Sequence, residues 1–146
     1  MSTQQLQPTI TFIIPFQSKE NFLIEQINTV FKFSELYSGF CELIIITDGK
    51  EDALLKLAWL AMKLNKINHP HVRTKIIRYT SQISINKLIE TSMKHALGQK
   101  IIIATDNAKK IDLSQIRNSN VLQRDILTVQ YFLNTKILEE LSKQIH

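Results

Sequence analysis

The residues best placed for chemistry are acids standing at the ends of apolar runs. Leu43, Ile44, Ile45 and Ile46 form a continuous apolar run that Asp48-Gly49 ends sharply. Such a run reads as a central strand of a parallel sheet, buried on both faces. An acid at the carboxyl end of a central parallel strand points into the crevice where open α/β sheets bind ligands. A second run, residues 100–105, ends in the same way on Asp106-Asn107. The simpler reading of Asp106-Asn107 is a turn after a strand. Glu51 and Asp52 open a helical pattern, where acids favour the helix macrodipole, and that competes with a ligand role for Asp52. His69-Pro70-His71 has the spacing of a metal pair. It lies in a turn with no third ligand nearby and reads as surface. Cys41, the one cysteine, can form no internal disulfide and reads as an inert core thiol beside a buried strand.

The elements that must hold these residues alternate in type. Residues 9–14 are an apolar, β-branched strand that Pro15 stops. Residues 21–37 show the helical spacing of Phe22, Leu23, Ile27, Val30 and Phe31. After the strand ending at Asp48, residues 51–65 form a helix with a wide apolar face: Leu54, Leu55, Leu57, Ala58, Leu60 and Leu64. Residues 72–79 predict a third strand around Ile76-Ile77. Residues 80–97 become helical, with Gly98 in the C′ position, and 100–105 are a fourth strand. Residues 112–117 read as a short helix, 125–133 as a last strand, and 135–145 as a helix capped near Asn134 or Thr135. Strand and helix in strict alternation predict right-handed crossovers and a mainly parallel central sheet flanked by helices, an α/β fold.

The length of 146 residues suits one domain with a proper core. The formal charge of +5 is spread along the chain; it reads as solvated helix faces or as attraction to phosphates. No basic cluster is interleaved with aromatics, which speaks against nucleic acid as a partner. No apolar run approaches membrane-spanning length, and residues 1–7 are polar, so a soluble cytoplasmic protein is expected.

Four stretches in the right order resemble family 2 glycosyltransferases, nucleotide-sugar-dependent enzymes of the GT-A fold, in their dolichyl-phosphate-mannose-synthase-like form. Ile13-Ile14-Pro15-Phe16-Gln17-Ser18 is similar to the family's I-I-P-x-Y-N. Residues 42–49 are similar to E-I-I-V-V-D-D-G, with Thr47 in place of the first aspartate and Asp52 on the pattern's later one. Residues 84–90 stand where relatives carry G-x-S-x-A-R-N, with Ser84 for the glycine and Ile89-Glu90 for Arg-Asn. Ala96-Leu97-Gly98 and Thr105-Asp106-Asn107 are similar to A-x-G followed by D-x-D. The resemblance spans residues 9–110.

The resemblance implies a single Rossmann-like GT-A domain with a nucleotide-binding part, 9–110, and a short divergent C-terminal strand and helix within 111–146. It implies that the chain binds a nucleotide diphosphate or nucleotide-sugar through Pro15, Phe16, Gln17, Asp48 and Lys87. Asp48 would accept a hydrogen bond from the base, and Lys87 with its helix N-terminus would meet a phosphate. The family's D-x-D holds Mg2+ or Mn2+, but Thr105 and Asn107 replace its carboxylates, so Asp106 and Asn107 make a weak metal site. No catalytic base is assignable: Asp112, Asp125, Glu139 and Glu140 are the only later acids, and none lies in a motif. The alternatives are a catalytically inactive GT-A-like pseudoenzyme acting as a binding or interaction module, and an unrelated doubly wound domain. The apolar segment 126–133 calls for cover, either from the terminal helix or from a second copy in a dimer.

Overall fold

The computed structural model describes residues 9–16, 22–37, 39–48, 52–104 and 124–144. Among them, strand and helix alternate as β1 (Ile10–Phe16), α1 (Leu23–Leu36), β2 (Cys41–Thr47), α2 (Asp52–Asn68), β3 (Arg73–Arg78), α3 (Ile85–His95), β4 (Lys100–Ala104), β5 (Asp125–Val129) and α4 (Thr135–Gln144). The five strands form one sheet in the order β3-β2-β1-β4-β5, and every pairing is parallel. This is a Rossmann-like α/β fold. The chain winds outward from β1 to β3, then crosses back to place β4 on the other side of β1. That reversal puts a topological switch point between β1 and β4.

Strand periodicity explains the continuous apolar runs. Successive side chains of a strand point to opposite faces, and here both faces are covered. Phe12, Ile14, Leu43 and Ile45 pack with Ile27, Val30 and Phe31 of α1, Ala58 and Met62 of α2, and Leu138 of α4. Ile13, Ile44, Ile46 and Ile103 pack on the other face with Leu88, Ile89 and Met93 of α3. Cys41 belongs to the first cluster, and burial pushes its thiol up to about 12. The core reading of that residue holds.

Several expectations need correcting. Pro15 does not end β1; it pairs in register with Ile46, and the strand runs on to Phe16. Among the described residues, pairing to β4 runs from Ile10 to Ile13, short of Pro15. Helix α1 starts at Leu23, not at residue 21, because Phe22 takes a left-handed conformation with φ 67°. That geometry costs a bulky residue about 1 kcal/mol, and the edge-on contact of its ring with Tyr131, 5.5 Å between centroids, offsets it. Gly98 is not a left-handed C′ residue: Ala96 caps α3 in an extended conformation and no glycine among the described residues has positive φ. The wide apolar face of α2 is only partly used, since Leu57, Leu60 and Leu64 are exposed.

The C-terminal segment folds back on the α1 layer. Phe132 is buried edge-on against Phe12 at 5.3 Å, and its N–H donates to Gln26 Oε1 of α1 at 3.0 Å. Asn134 Oδ1 accepts from Lys136 N at 2.8 Å, which caps α4 where the sequence placed the cap. The expected cover for the last strand therefore includes the chain's own terminal helix, through Leu138. The short helix expected at 112–117 lies outside the described residues.

Candidate functional site at the carboxyl edge of the sheet

Register fixes what stands at the carboxyl edge. Phe16 pairs with Thr47, and Thr47 with Arg78, so the ends of β1, β2 and β3 lie in one row. Asp48 stands one residue beyond that row. Its burial is nearly complete, at 7% exposure. Asp48 Oδ2 accepts a hydrogen bond from Ile83 N at 2.6 Å. Tyr79 N donates to the Thr47 carbonyl at 2.8 Å, and Tyr79 Oη lies 2.6 Å from Thr91 Oγ1 on α3. The segment 79–84 is thus held at both ends, to β2 by Asp48 and to α3 by Tyr79.

Segment 79–84 leads directly into α3. Ser84 is the N-cap: its Oγ accepts from Lys87 N at 3.3 Å. A serine just before an apolar-periodic helix is a legible start signal. Its role in the structure is a cap at the position where the family pattern has a glycine. The Asp48–Ile83 contact is what sequence reasoning missed, because it joins residues 35 apart.

The site residues named from sequence fare differently. Pro15 is buried at the end of β1, and Phe16, 2% exposed, is packed into the core cluster of the α1–α2 layer. Asp48 reaches the carboxyl edge as expected. A carboxylate offers about four acceptor positions, so the Ile83 N–H does not saturate the group. Lys87 is exposed in the first turn of α3, with Nζ 3.8 Å from Glu90 Oε1. Gln17, Asp106 and Asn107 lie outside the described residues. Among the described residues no group of three His, Cys, Asp or Glu is arranged to hold a metal. His69, half of the His-x-His pair, is engaged otherwise: Nε2 lies 2.6 Å from Glu35 Oε1 and Nδ1 2.9 Å from the Asn65 carbonyl. The Glu35 contact first, and the Asn65 carbonyl second, hold its pKa above the ordinary value.

The opposite edge of the sheet carries a buried polar clamp. Glu42, with no exposed surface, accepts from Thr11 Oγ1 and Leu97 N at 2.8 Å each and lies 3.4 Å from Lys75 Nζ. Thr11 Oγ1 accepts from Gly98 N at 2.9 Å. A Cβ at Gly98 would fall 2.7 Å from Thr11 N, so only glycine lets this loop close on β1. Arg124 and Lys75 donate to the last carbonyls of α3, at Ala96 and His95. Two of the resemblance's landmarks, Glu42 and Ala96-x-Gly98, therefore serve the fold rather than a ligand.

Three cavities among the described residues are distinct from Asp48, and the first of them reaches the end of β3 at Arg78. Two, of about 270 and 320 Å3, flank Trp59 between α2 and β3. A third, of about 560 Å3, separates the ends of α1 and α4. The carboxyl-edge site stands on topology and on Asp48.

Comparison with solved structures bears on the fold alone. The crystal structure of Staphylococcus aureus TarS, residues 1–349, superposes with a TM-score of 0.53 at 14% identity, over 92% of this chain and 31% of that one. That likeness shows the fold. The mannosyltransferase PcManGT of Pyrobaculum calidifontis, in complex with GDP-Man and Mn2+, matches with a TM-score of 0.45 and 19% identity, over 64% of this chain and 26% of that one. This chain therefore spans about a third or less of the length of either structure. No protein-family model matches the sequence, and no curated protein does either. No helix among the described residues is long and apolar enough to cross a membrane.

Proposed function

We propose that this chain is a glycosyltransferase-like domain, of the family 2 type its motifs resemble, that binds a nucleoside diphosphate or nucleotide-sugar at the carboxyl edge. The observation that carries the proposal is Asp48. It is a nearly buried carboxylate at the end of β2, one strand away from the switch point between β1 and β4, and it ties down the segment that opens α3. In this reading its remaining acceptor positions take the N–H groups of a nucleotide base. Pro15, Phe16 and Gln17 bring the end of β1 beside the base and ribose in this reading, Phe16 through its backbone because its ring is packed in the core. Lys87 and the first turn of α3 meet the phosphates, since helix N-termini and cations favour anions. Asp106 and Asn107 are the residues that would hold a divalent ion, whose chemistry would be to neutralise the diphosphate. The nucleotide-binding part is residues 9–110, within a single domain.

The test is an NMR or calorimetric titration with uridine and guanosine diphosphates, with and without manganese, on wild type and two variants. Asp48→Asn keeps an acceptor for Ile83 N and removes the charge; Asp48→Ala removes both. Binding should fall at least tenfold in Asp48→Asn, a loss of about 1.4 kcal/mol. Wild-type binding that survives both substitutions unchanged would remove Asp48 from the site. Turnover of a nucleotide-sugar with an acceptor separates an enzyme from a module that only binds.

A further inference from the structure

The outward face of α2 is the feature that neither the fold nor the nucleotide site uses. Leu57, Leu60, Leu64 and Ile67 recur at the spacing that puts them on one stripe of a helix. Their exposure runs from 47% at Leu60 to 73% at Ile67. The buried side of the same helix is Ala58 and Met62, and one flank is tied to α1 by Asn65 Nδ2 donating to Asn28 Oδ1 at 2.8 Å. Trp59, half exposed, stands beyond the stripe with Lys63 Nζ 4.6 Å from its ring centroid. Lys56 and Lys63 border the stripe on the Trp59 side, and Lys66 follows.

Charge singles out the same region. Residues 53–89 contain seven of the chain's 18 basic residues, Lys56, Lys63, Lys66, Arg73, Lys75, Arg78 and Lys87, and none of its 13 acidic ones. Arg73, Lys75 and Arg78 belong to β3 and Lys87 to α3, so the cations that α2 itself carries here are Lys56, Lys63 and Lys66.

We propose that the outward face of α2 docks this protein on an anionic membrane surface. A helix with leucines and a tryptophan outward and lysines along the border lies in the interfacial plane, its apolar stripe among the acyl chains and its cations at anionic headgroups. A bilayer accepts a single exposed helix without a matching groove. A second copy fits less well, for two reasons. Self-pairing would bring Lys56, Lys63 and Lys66 against their own kind, with no acid of residues 53–89 to answer them. The stripe is also small: ten residues at 1.5 Å rise give about 15 Å of length, one helix wide, against roughly 800 Å2 per partner in a stable interface. The proposal does not depend on the nucleotide site, which lies at the end of the sheet.

Trp59 is the only tryptophan, so its fluorescence reports this face directly. The full chain is titrated with phosphatidylcholine vesicles and with vesicles containing roughly 30% phosphatidylglycerol. The expected result is a blue shift of Trp59 and co-sedimentation with the anionic vesicles alone, with quenching by brominated acyl chains. Leu60→Gln with Leu64→Gln should weaken partitioning by about tenfold or more. Lys56→Gln with Lys63→Gln should weaken it too and reduce its salt dependence. All four positions are exposed, and unchanged thermal unfolding confirms that the variants fold. Three results would overturn the proposal: no partitioning of the wild type, partitioning that leaves Trp59 unquenched or survives the leucine variant, or a lipid-independent Trp59 shift that light scattering assigns to a second copy.

Discussion

Replacing Glu42 with alanine tests whether the clamp at the amino edge holds the sheet together. Glu42 Oε1 accepts from Thr11 Oγ1 and Leu97 N, each at 2.8 Å, in a fully buried position. Oε2 has no hydrogen-bond partner among the described residues; Lys75 Nζ, 3.4 Å away, attracts it without hydrogen-bond geometry. Alanine leaves two donors without their acceptor, one buried and one part-buried, at about 1–3 kcal/mol each. The Thr11 hydroxyl can turn while it still accepts from Gly98 N, so its loss is at the low end. Leu97 N–H is fixed by the backbone and sits at the high end. Together they give about 3–4 kcal/mol. Lys75 adds little, because its side chain is 34% exposed and keeps the His95 carbonyl as acceptor. Against a total stability of about 5–15 kcal/mol, that is a large fraction. Glu42→Gln keeps the Oε1 acceptor but sets an amide N–H2 where Oε2 faced Lys75 Nζ, so it should lose less than alanine, about 1–2 kcal/mol. Urea unfolding followed by circular dichroism reads both, since a slope of about 1–3 kcal/mol per molar converts the alanine loss into a midpoint shift of about 1–4 M. An alanine variant within about 1 kcal/mol of wild type, or a glutamine variant as damaged as the alanine one, would refute the reasoning.

Gly98→Ala should lose about 1–3 kcal/mol, because its Cβ would meet the backbone of β1 at Thr11 N and Ile10 C as well as Thr11 Oγ1; an unchanged urea midpoint would show that the α3–β4 loop shifts without cost. Cys41, with its thiol raised to about 12 by burial, should resist alkylation in native buffer and react fully once the chain is unfolded. Rapid native labelling would place the thiol at the surface. Because the folded pKa of His69 is raised, chiefly by Glu35, the stability it contributes is complete below its unfolded value of about 6.5 and is lost as pH rises through the folded value. The stability gap between wild type and Glu35→Gln should therefore be larger near pH 5.5 than near pH 8.5, roughly bracketing that window, and a gap that grows with pH contradicts the assignment.

The architecture was legible because the strands are buried on both faces, which turns them into unbroken runs such as Leu43 to Ile46 that no surface helix imitates. The face of α2 was not. That helix is apolar around most of its circumference, and periodicity cannot say which arc meets the sheet; Ala58 and Met62 face inward while Leu57, Leu60 and Leu64 face out. Nor could spacing reveal contacts between distant residues, such as Glu42 with Leu97 or Asp48 with Ile83.

These contacts also change the weight of the resemblance. Glu42 and Ala96-x-Gly98 match the glycosyltransferase pattern, yet one is the buried acceptor of the clamp and the other lets a loop close on β1. Any chain with this sheet and this loop would need similar residues, so matches there report the fold and are silent on activity. Asp48 differs in kind. Ile83 N could be satisfied by a neutral acceptor such as asparagine, so the fold alone does not demand a charge at the carboxyl edge. A nearly buried carboxylate kept there, where one hydrogen bond leaves acceptor capacity, is the part of the pattern that points beyond folding. Asp48→Asn is thus the substitution that separates the two readings: it should leave the fold intact and weaken nucleotide binding, whereas a purely structural aspartate would show little loss in either.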